Sequence, residues 1–398
     1  MSNIDQAIGP KPVAAKIPAL AYLLTLCVGV VGSNSLVLGP IAPDIAASFG
    51  TSTPAVMTAS AAFGLGTAAG ALLLARRIDR FGVWRMLRLA LAAFGLALAV
   101  SALAPAVPAL VAAQCLAGMA AGVVLPAAYA GAAAVAPPGR ESATIGVVLT
   151  GWTLSMVVGV AAAAVLADAA HWRLVFGSVA LLAGVALAAL PRQDLAQTRP
   201  AEPASSPLQA LRIRGVAPLL VACGAFMTAF YGVYGYLGDH VHAALGRPLS
   251  LNGLVALVYG LGFGSAAMFD RIVDRVGAAR AMPAAYLAIG AIYVAMAISS
   301  DRFTALLALV FVWGLANHFG LNVLVMRLGA LDAYRRGAIM GLNSAVTYLA
   351  VFIGTIGFGP VYAAAGFSAL CLLAAALMLA AVAAARVADV QPPSPNRA

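Results

Sequence analysis

The 398-residue sequence predicts an all-α polytopic membrane protein whose twelve transmembrane helices form two six-helix halves. Three observations support this fold class. Apolar residues dominate the composition, twelve apolar segments are long enough to cross a bilayer, and a short charged motif recurs half a chain apart. A duplicated helical membrane bundle accounts for all three.

The composition requires a membrane environment. Hydrophobic residues make up 63% of the chain, charged residues make up 9%, and the mean hydropathy is +0.99. A soluble domain has no use for that much apolar surface, because its exterior must face water. The four cysteines lie in apolar runs without a CxxC pair. They are interpreted as core residues, and neither a metal site nor a cofactor is predicted.

The distribution of positive charge predicts the orientation in the membrane. The net charge is +10, and 20 of the 23 Lys and Arg residues fall in segments assigned to one side; the exceptions are Arg173, Arg247 and Arg302. Basic residues are retained on the cytoplasmic side of membrane proteins. Both termini are therefore predicted to be cytoplasmic, with the protein in the cell (inner) membrane. The one-sided distribution also argues against a nucleic-acid partner.

Twelve apolar segments have about the 20 residues that a bilayer span requires. The first follows Lys11 and Lys16 as a signal peptide would, but it continues past signal length without a clear cleavage site. It is therefore predicted to be helix 1. The predicted spans are 17–38, 55–75, 86–104, 107–134, 143–166, 174–190, 216–237, 251–269, 281–299, 303–326, 338–359 and 366–386.

Residues 191–215 are the one polar, Pro- and Ser-rich stretch between two apolar segments. They are predicted to be a flexible cytoplasmic linker between an N-terminal half, 1–190, and a C-terminal half, 216–398. Asp44 and Asp239 support this division. They are 195 residues apart, and each is predicted to lie just beyond the outer end of the first helix of its half.

A charged loop motif occurs once in each half. Residues 75–85 read ARRIDRFGVWR and residues 270–280 read DRIVDRVGAAR, with corresponding residues 195 positions apart. In such a loop the glycine permits a turn with positive φ. The arginines hold the loop on the cytoplasmic side.

This repeated loop resembles the loop between helices 2 and 3 of the major facilitator superfamily and its counterpart between helices 8 and 9. The resemblance implies a substrate path between two halves and a gate on the cytoplasmic side. In that gate the Asp at the position of Asp79 contacts the end of a neighbouring helix in the other half. The alternative is that the loop only sets the membrane topology, for which the arginines alone would be enough. The implied gating residues are Asp79, Arg80, Gly82, Asp274, Arg275 and Gly277.

Helix 5 carries a glycine series that ends at Gly159, and the motif WRLVF opens helix 6. This pattern is similar to the arabinose-efflux-permease branch of the twelve-helix drug:proton antiporters. Two positions differ from that branch. The helix 4 position that usually holds an Arg implicated in proton movement is Gln114, and the Pro that commonly follows the last glycine is Ala161.

Polar and amphipathic side chains at membrane depth predict the substrate cavity. In lipid each such group needs a partner, so it faces either a cavity or another helix. Hydrogen bonding between helices is the alternative for every one of them. The predicted cavity residues are Asn34, Gln114, Trp152, Tyr231, Tyr234, Asn317 and Asn343.

The ionisable residues narrow the chemistry. None of the 13 acidic residues lies near the middle of a predicted helix, so the carboxylate cluster of a membrane hydrolase is missing and the chain is predicted not to be an enzyme. A strongly cationic solute is disfavoured for the same reason. The remaining candidates for proton coupling are His318 and Asp239. A packing role for His318 and a rim position for Asp239 are the alternatives.

Taken with the resemblance, these features predict a secondary transporter that exports a small organic solute or drug by alternating access, with proton-coupled antiport. A facilitator or an uptake symporter for a sugar-like or amphiphilic metabolite is the alternative. A membrane enzyme or a sensor is a remote one. The predicted partners are the small-molecule substrate, the lipid bilayer and protons, and the predicted oligomeric state is a monomer.

Overall fold

The computed structural model describes residues 16–75, 77–138, 140–192, 207–269, 273, 275–332 and 334–390. Within these ranges every regular element is helical. Eleven helices are long and apolar enough to cross a membrane. The last of them has 55 residues and is interrupted at Gly366, whose φ of 74° is not helical. The described part of the chain therefore contains twelve membrane-crossing segments, which confirms the predicted fold class.

The twelve segments begin within three residues of their predicted starts. Two of them contain π-helical turns and one ends in a 3-10 turn. The bounds are α1 Ala19–Phe49; α2 Thr53–Leu73; α3 Val83–Ala102; α4 Val107–Val135; α5 Glu141–Leu154, the π turn Ser155–Val160 and Ala161–Ala169; α6 Trp172–Ala189; α7 Val216–Asp239 and the π turn His240–Ala244; α8 Ser250–Ser265 and the 3-10 turn Ala266–Phe269; α9 Ala278–Ile298; α10 Phe303–Leu331; and, on either side of Gly366 in Arg336–Val390, α11 and α12.

Helix α1 extends well beyond its predicted end at residue 38. Pro40 and Pro43 both lie inside the helix and do not end it. Prolines are tolerated in membrane helices because neighbouring helices and local backbone adjustments satisfy the freed groups. The Pro40 carbonyl itself accepts a hydrogen bond from Asn252 Nδ2 of α8 at 2.8 Å. Asp44 therefore lies within α1, and its predicted position beyond the helix end is wrong.

Glycine pairs bring α2 against α4 and α8 against α10. A Cβ on Gly118 would lie 2.1 Å from the Phe63 carbonyl oxygen, and a Cβ on Gly314 would lie 2.2 Å from that of Tyr259. Residues 63 and 259, like residues 118 and 314, are 196 apart. Small residues permit this close backbone approach in lipid. The reciprocal contacts have the same spacing: Gly66 with Cys115, and Gly262 with Phe311.

The helices α1–α6 and α7–α12, called the two halves from here on, are in close contact toward one end of the bundle. That end holds Phe49 and Thr53 and is called the far end; the opposite end, with the Arg-bearing loops, is called the arginine end. At the far end a Cβ on Gly39 of α1 would lie 3.0 Å from the Tyr234 carbonyl oxygen of α7. Toward the same end Gly253 of α8 packs on the Ala161 carbonyl of α5.

The two copies of the charged loop share one backbone feature. Gly82 precedes α3 with φ 88° and ψ 144°, and Gly277 precedes α9 with φ 83° and ψ 137°. The expected positive φ is thus confirmed in both copies. Arg80 and Arg275 are exposed, and Asp79 belongs to the short helix Arg77–Phe81.

Two predictions concern residues that the structure does not cover. Asp274 lies outside the described residues, as do residues 193–206 of the predicted linker. The boundaries 1–190, 191–215 and 216–398 therefore remain predictions.

Candidate functional site

An aromatic cluster fills the centre of the C-terminal half. Helix α7 supplies its axis, because residues four positions apart lie on one helix face. The Phe230 ring lies 4.9 Å from Tyr231, 5.5 Å from Tyr234, 5.6 Å from Tyr259 of α8 and 5.4 Å from Trp313 of α10, measured between centroids. The offset and edge-on geometries are those that aromatic pairs prefer.

Asn317 attaches a polar group to this cluster. Its Nδ2 donates to the Tyr259 hydroxyl at 3.0 Å. Its Oδ1 is buried and accepts no hydrogen bond in the described structure. Asn317 itself is 2% exposed, so this open acceptor lies within the protein interior.

Two of the predicted cavity residues lie on other helices and have different surroundings. Trp152 of α5 donates its Nε1–H to the Tyr129 hydroxyl of α4 at 2.9 Å. Its ring packs against Gly32 of α1, where a Cβ would lie 3.1 Å from Cε3. Asn343 of α11 is buried, and its Oδ1 has no hydrogen-bond partner within the described ranges.

The N-terminal half contains a closed polar network. Asn34 Nδ2 donates to Gln114 Oε1 at 2.9 Å, and Gln114 Nε2 donates to the Ser101 hydroxyl at 3.1 Å and to Asn34 Oδ1 at 3.4 Å. These three side chains join α1, α4 and α3. Gln114 is fully buried, so the structure places it between helices of its own half, paired with Asn34.

His318 lies on α10, next to Asn317 but half-buried. Its ring meets Phe263 edge-on at 5.1 Å and Phe319 at 5.9 Å. Since Asn317 is buried and His318 is more exposed, α10 presents the two side chains to different surroundings.

The paired acids Asp44 and Asp239 have different partners. Asp44 accepts a hydrogen bond from the backbone N–H of Trp172 at 3.2 Å, at the start of α6 in its own half. Asp239 accepts from the Thr53 hydroxyl of α2, in the other half, and from the Tyr362 hydroxyl of α11 at 2.6 Å. The π turn His240–Ala244 continues α7 past Asp239, so this acid too lies within a continuous helix rather than beyond its end.

The sequence-based list omitted several residues that the structure joins to predicted ones. Their signal was the same: a polar side chain within or at the end of an apolar segment. Tyr129, Tyr259 and Ser101 are partners of listed residues, but the partnership depends on contacts between helices that no spacing rule gives. The other omitted partners are Thr53 and Tyr362, which both bind Asp239.

No metal centre is present in the part of the chain that the structure describes. No group of three or more His, Cys, Asp or Glu side chains there is placed to hold an ion. The four cysteines are free.

Comparisons with known proteins address the family. The family model described as Major Facilitator Superfamily matches residues 24–355. The uncharacterized MFS-type transporter YwfA of Bacillus subtilis (strain 168) is 28% identical over 366 residues, covering 90% of this chain and 89% of the relative. A chloramphenicol resistance protein of Streptomyces lividans is 27% identical over 379 residues, covering 90% and 96%.

Solved structures show the same fold. A bacterial homolog to the human lysosomal transporter Spinster, in an inward-facing and occupied conformation, aligns with a TM-score of 0.74 at 16% identity, covering 93% of this chain and 96% of that one. A D-xylose-proton symporter aligns with a TM-score of 0.72 at 16% identity, covering 90% and 96%. With the family model matched across most of the sequence, the chain belongs to the Major Facilitator Superfamily and is a multi-pass membrane transporter, not an enzyme.

Proposed function

We propose that this transporter exports a small, neutral organic solute or drug by alternating access, through proton antiport of the drug:proton antiporter type. The observation that supports the solute class is a pair of buried amide oxygen atoms without hydrogen-bond partners in the described structure, Asn317 Oδ1 of α10 and Asn343 Oδ1 of α11. An unpaired buried acceptor costs roughly 1–3 kcal/mol. A bound solute with hydroxyl or N–H donors would recover that energy.

The aromatic cluster supports the same solute class. Phe230, Tyr234 and Tyr259 offer ring faces and edges to an apolar or aromatic solute body, while the amide and hydroxyl oxygens offer acceptors. Acidic residues at the centre of the described helices, which would attract a strong cation, are missing: Asp44, Asp239 and Asp168 all lie toward the far end. The site therefore suits a neutral solute with several donors.

The orientation is part of the proposal. The arginine end is assigned to the cytoplasm because basic loops are retained there. Asn322, which lies toward that end, is half-buried, whereas Asn252 toward the far end is buried. Together with the close far-end contacts, this gradient supports an inward-facing state. Ser206→Cys should label only from the cytoplasmic side and Ser250→Cys only from outside; the reverse pattern would overturn the orientation.

Export is supported by the name of the Streptomyces lividans relative, a chloramphenicol resistance protein. Uptake or facilitated transport of a sugar-like or amphiphilic metabolite is the second candidate. One observation favours it: the α4 side chain that would be an Arg in the antiporter branch is Gln114, held by Asn34 and Ser101 in a neutral network. That network contains no group that gains or loses a proton near neutral pH.

Transport of radiolabelled chloramphenicol into inverted membrane vesicles, with and without a pH gradient, tests the function. Accumulation that collapses with the gradient supports antiport, and equilibration without accumulation supports a facilitator. Tyr234→Ala should weaken chloramphenicol affinity more than it lowers folded yield. Tyr286→Ala is the matched control, because this buried tyrosine stacks on Phe226 outside the cluster. Equal losses in both variants would make the cluster structural.

For proton coupling, we propose His318 as the switch, with Asp239 as the other candidate. His is the side chain whose ordinary pKa lies closest to neutral pH, and His318 is half-buried beside the cluster. In proteoliposomes His318→Gln should abolish substrate-induced proton flux. An unchanged proton flux at unchanged substrate flux would exclude His318.

A further inference from the structure

We infer that Asp239 and Thr53 form the gate that closes the far end of this transporter. The inference rests on the proposed alternating access with the far end outside. Thr53 is the first residue of α2 and Asp239 is the last α-helical residue before the π turn of α7. Their hydrogen bond crosses from one half to the other, where the Thr53 hydroxyl is the donor and Asp239 Oδ1 the acceptor.

The carboxylate has a second partner on its own side of the interface. The Tyr362 hydroxyl of α11 donates to Asp239 Oδ2 at 2.6 Å, and the Tyr362 ring stacks on Tyr236 at 5.1 Å. The Tyr236 hydroxyl in turn donates to the Thr355 carbonyl at 2.6 Å. The acceptor is therefore fixed by the C-terminal half and presented to a single donor from the N-terminal half.

The surrounding contacts show that the interface is closed at this point. Asn252 of α8 crosses it to the Pro40 carbonyl of α1. A Cβ on Gly238 would lie 2.7 Å from the Gly39 carbonyl oxygen, and one on Gly235 would lie 2.8 Å from Met57 Cε. Met57 is one helical turn from Thr53 and is 1% exposed. Any movement that exposes Met57 to the outside must first separate Thr53 from Asp239.

A hydrogen bond to an ionised acceptor is stronger than a neutral one. In a two-state equilibrium, a contact present in only one state sets the populations of both. The bond between Thr53 and Asp239 exists only when the far end is closed, so it favours the inward-facing state. Asp44 provides an internal control: it is the counterpart at the same end of the bundle, but its partner Trp172 belongs to its own half.

The test measures exposure of Met57, which needs no substrate. Met57→Cys is introduced, and its rate of reaction with a membrane-impermeant thiol reagent is measured in right-side-out and in inverted vesicles. The chain with Met57 intact gives the background from its own four cysteines. Thr53→Val and Asp239→Asn should each raise the labelling rate from outside on the order of tenfold, as expected for loss of a hydrogen bond to a charged group.

The controls separate gating from misfolding. Thr53→Ser keeps the hydroxyl and should label at the original rate, and Asp44→Asn removes an acid from the same end without changing labelling. The double variant Thr53→Val/Asp239→Asn should label no faster than the faster single variant. If Asp239→Asn does not fold, the labelling rate of the Thr53→Val variant alone tests the gate.

The gate is overturned if Thr53→Val and Asp239→Asn leave labelling unchanged, or if Asp44→Asn raises it equally. Faster labelling in inverted vesicles alone would overturn the assigned orientation and the gate with it. A protein that transports no chloramphenicol but shows the expected labelling would remove the proposed solute and keep the gate, so the two proposals fail separately.

Discussion

The N-terminal and C-terminal halves use the same glycine contacts between helices but different side chains at their centres. The contact of Gly118 with the Phe63 carbonyl recurs as Gly314 with the Tyr259 carbonyl, at a constant offset of 196 residues. Backbone-to-backbone contact of this kind leaves little room for change. The scaffold is thus repeated where helices touch through the main chain.

The side chains at the centres of the two halves do not repeat. The N-terminal half pairs Asn34, Gln114 and Ser101 with one another. At offsets of 195 or 196 the C-terminal half has only apolar residues in these places: Ala229 or Phe230, Leu309 or Val310, and Met296 or Ala297. Its polar groups lie elsewhere, and Asn317 keeps an open acceptor. The three central side chains of the N-terminal half are thus paired with one another, whereas Asn317 of the C-terminal half keeps an open acceptor at the aromatic cluster.

The largest expected effect tests the shared part of this comparison. Gly118→Val and Gly314→Val both place atoms on top of a carbonyl oxygen, so both should lose most of their folded yield, by similar factors. Overpacking of this kind costs typically 1–3 kcal/mol or more. Folded yield is measured by size-exclusion chromatography after solubilisation. Gly177→Val and Gly184→Val are matched controls, because a Cβ at either meets nothing within 4 Å. If only one of the two variants Gly118→Val and Gly314→Val keeps its folded yield, the glycine contacts of the two halves are not equivalent.

The second prediction tests the difference between the centres. Gln114→Leu removes both hydrogen-bond contacts that the buried amide of Asn34 makes with Gln114, so it should lower thermal stability by about 1–3 kcal/mol while solute affinity per folded molecule is retained. Asn317→Leu should do the opposite, with about a tenfold loss of affinity and a smaller loss of stability. Thermal melts and binding titrations with chloramphenicol give both readouts. The distinction between the halves fails if the two variants behave alike.

The smallest expected effect concerns the two charged loops. Gly82 and Gly277 have nearly the same backbone conformation. We expect Asp79→Asn to slow transport severalfold while membrane insertion stays normal. Asp274→Asn should slow transport less, because the two copies of a duplicated gating loop seldom remain equally important. Initial transport rates, normalised to protein in the membrane, measure the difference. Equal rates for the two variants would show that the loops have remained equivalent in function as well.

The sequence was sufficient to predict the fold, because membrane spanning requires long apolar runs and the twelve runs are separated by charge or by glycine and proline. The predicted span of α1 ends at residue 38, whereas the helix continues through Pro40 and Pro43 to Phe49, as packed membrane helices allow. The site was predicted less well. Gln114 and Asn317 are both buried amides, and whether such a group meets its partner or a cavity depends on helix packing that no periodicity contains.

The π turn of α5 has a consequence for the face that this helix presents to α1. Gly151 packs on the Thr25 carbonyl and Gly159 packs on Ser33, so both meet α1. In a regular α-helix, residues eight positions apart point about 80° away from each other. The π turn Ser155–Val160 accommodates one extra residue, so Gly151 and Gly159 lie on the same face of α5. Deleting one residue from this turn would therefore give a regular α-helix in which the two glycines are seven positions apart and within about 20° of one face, so both should still meet α1.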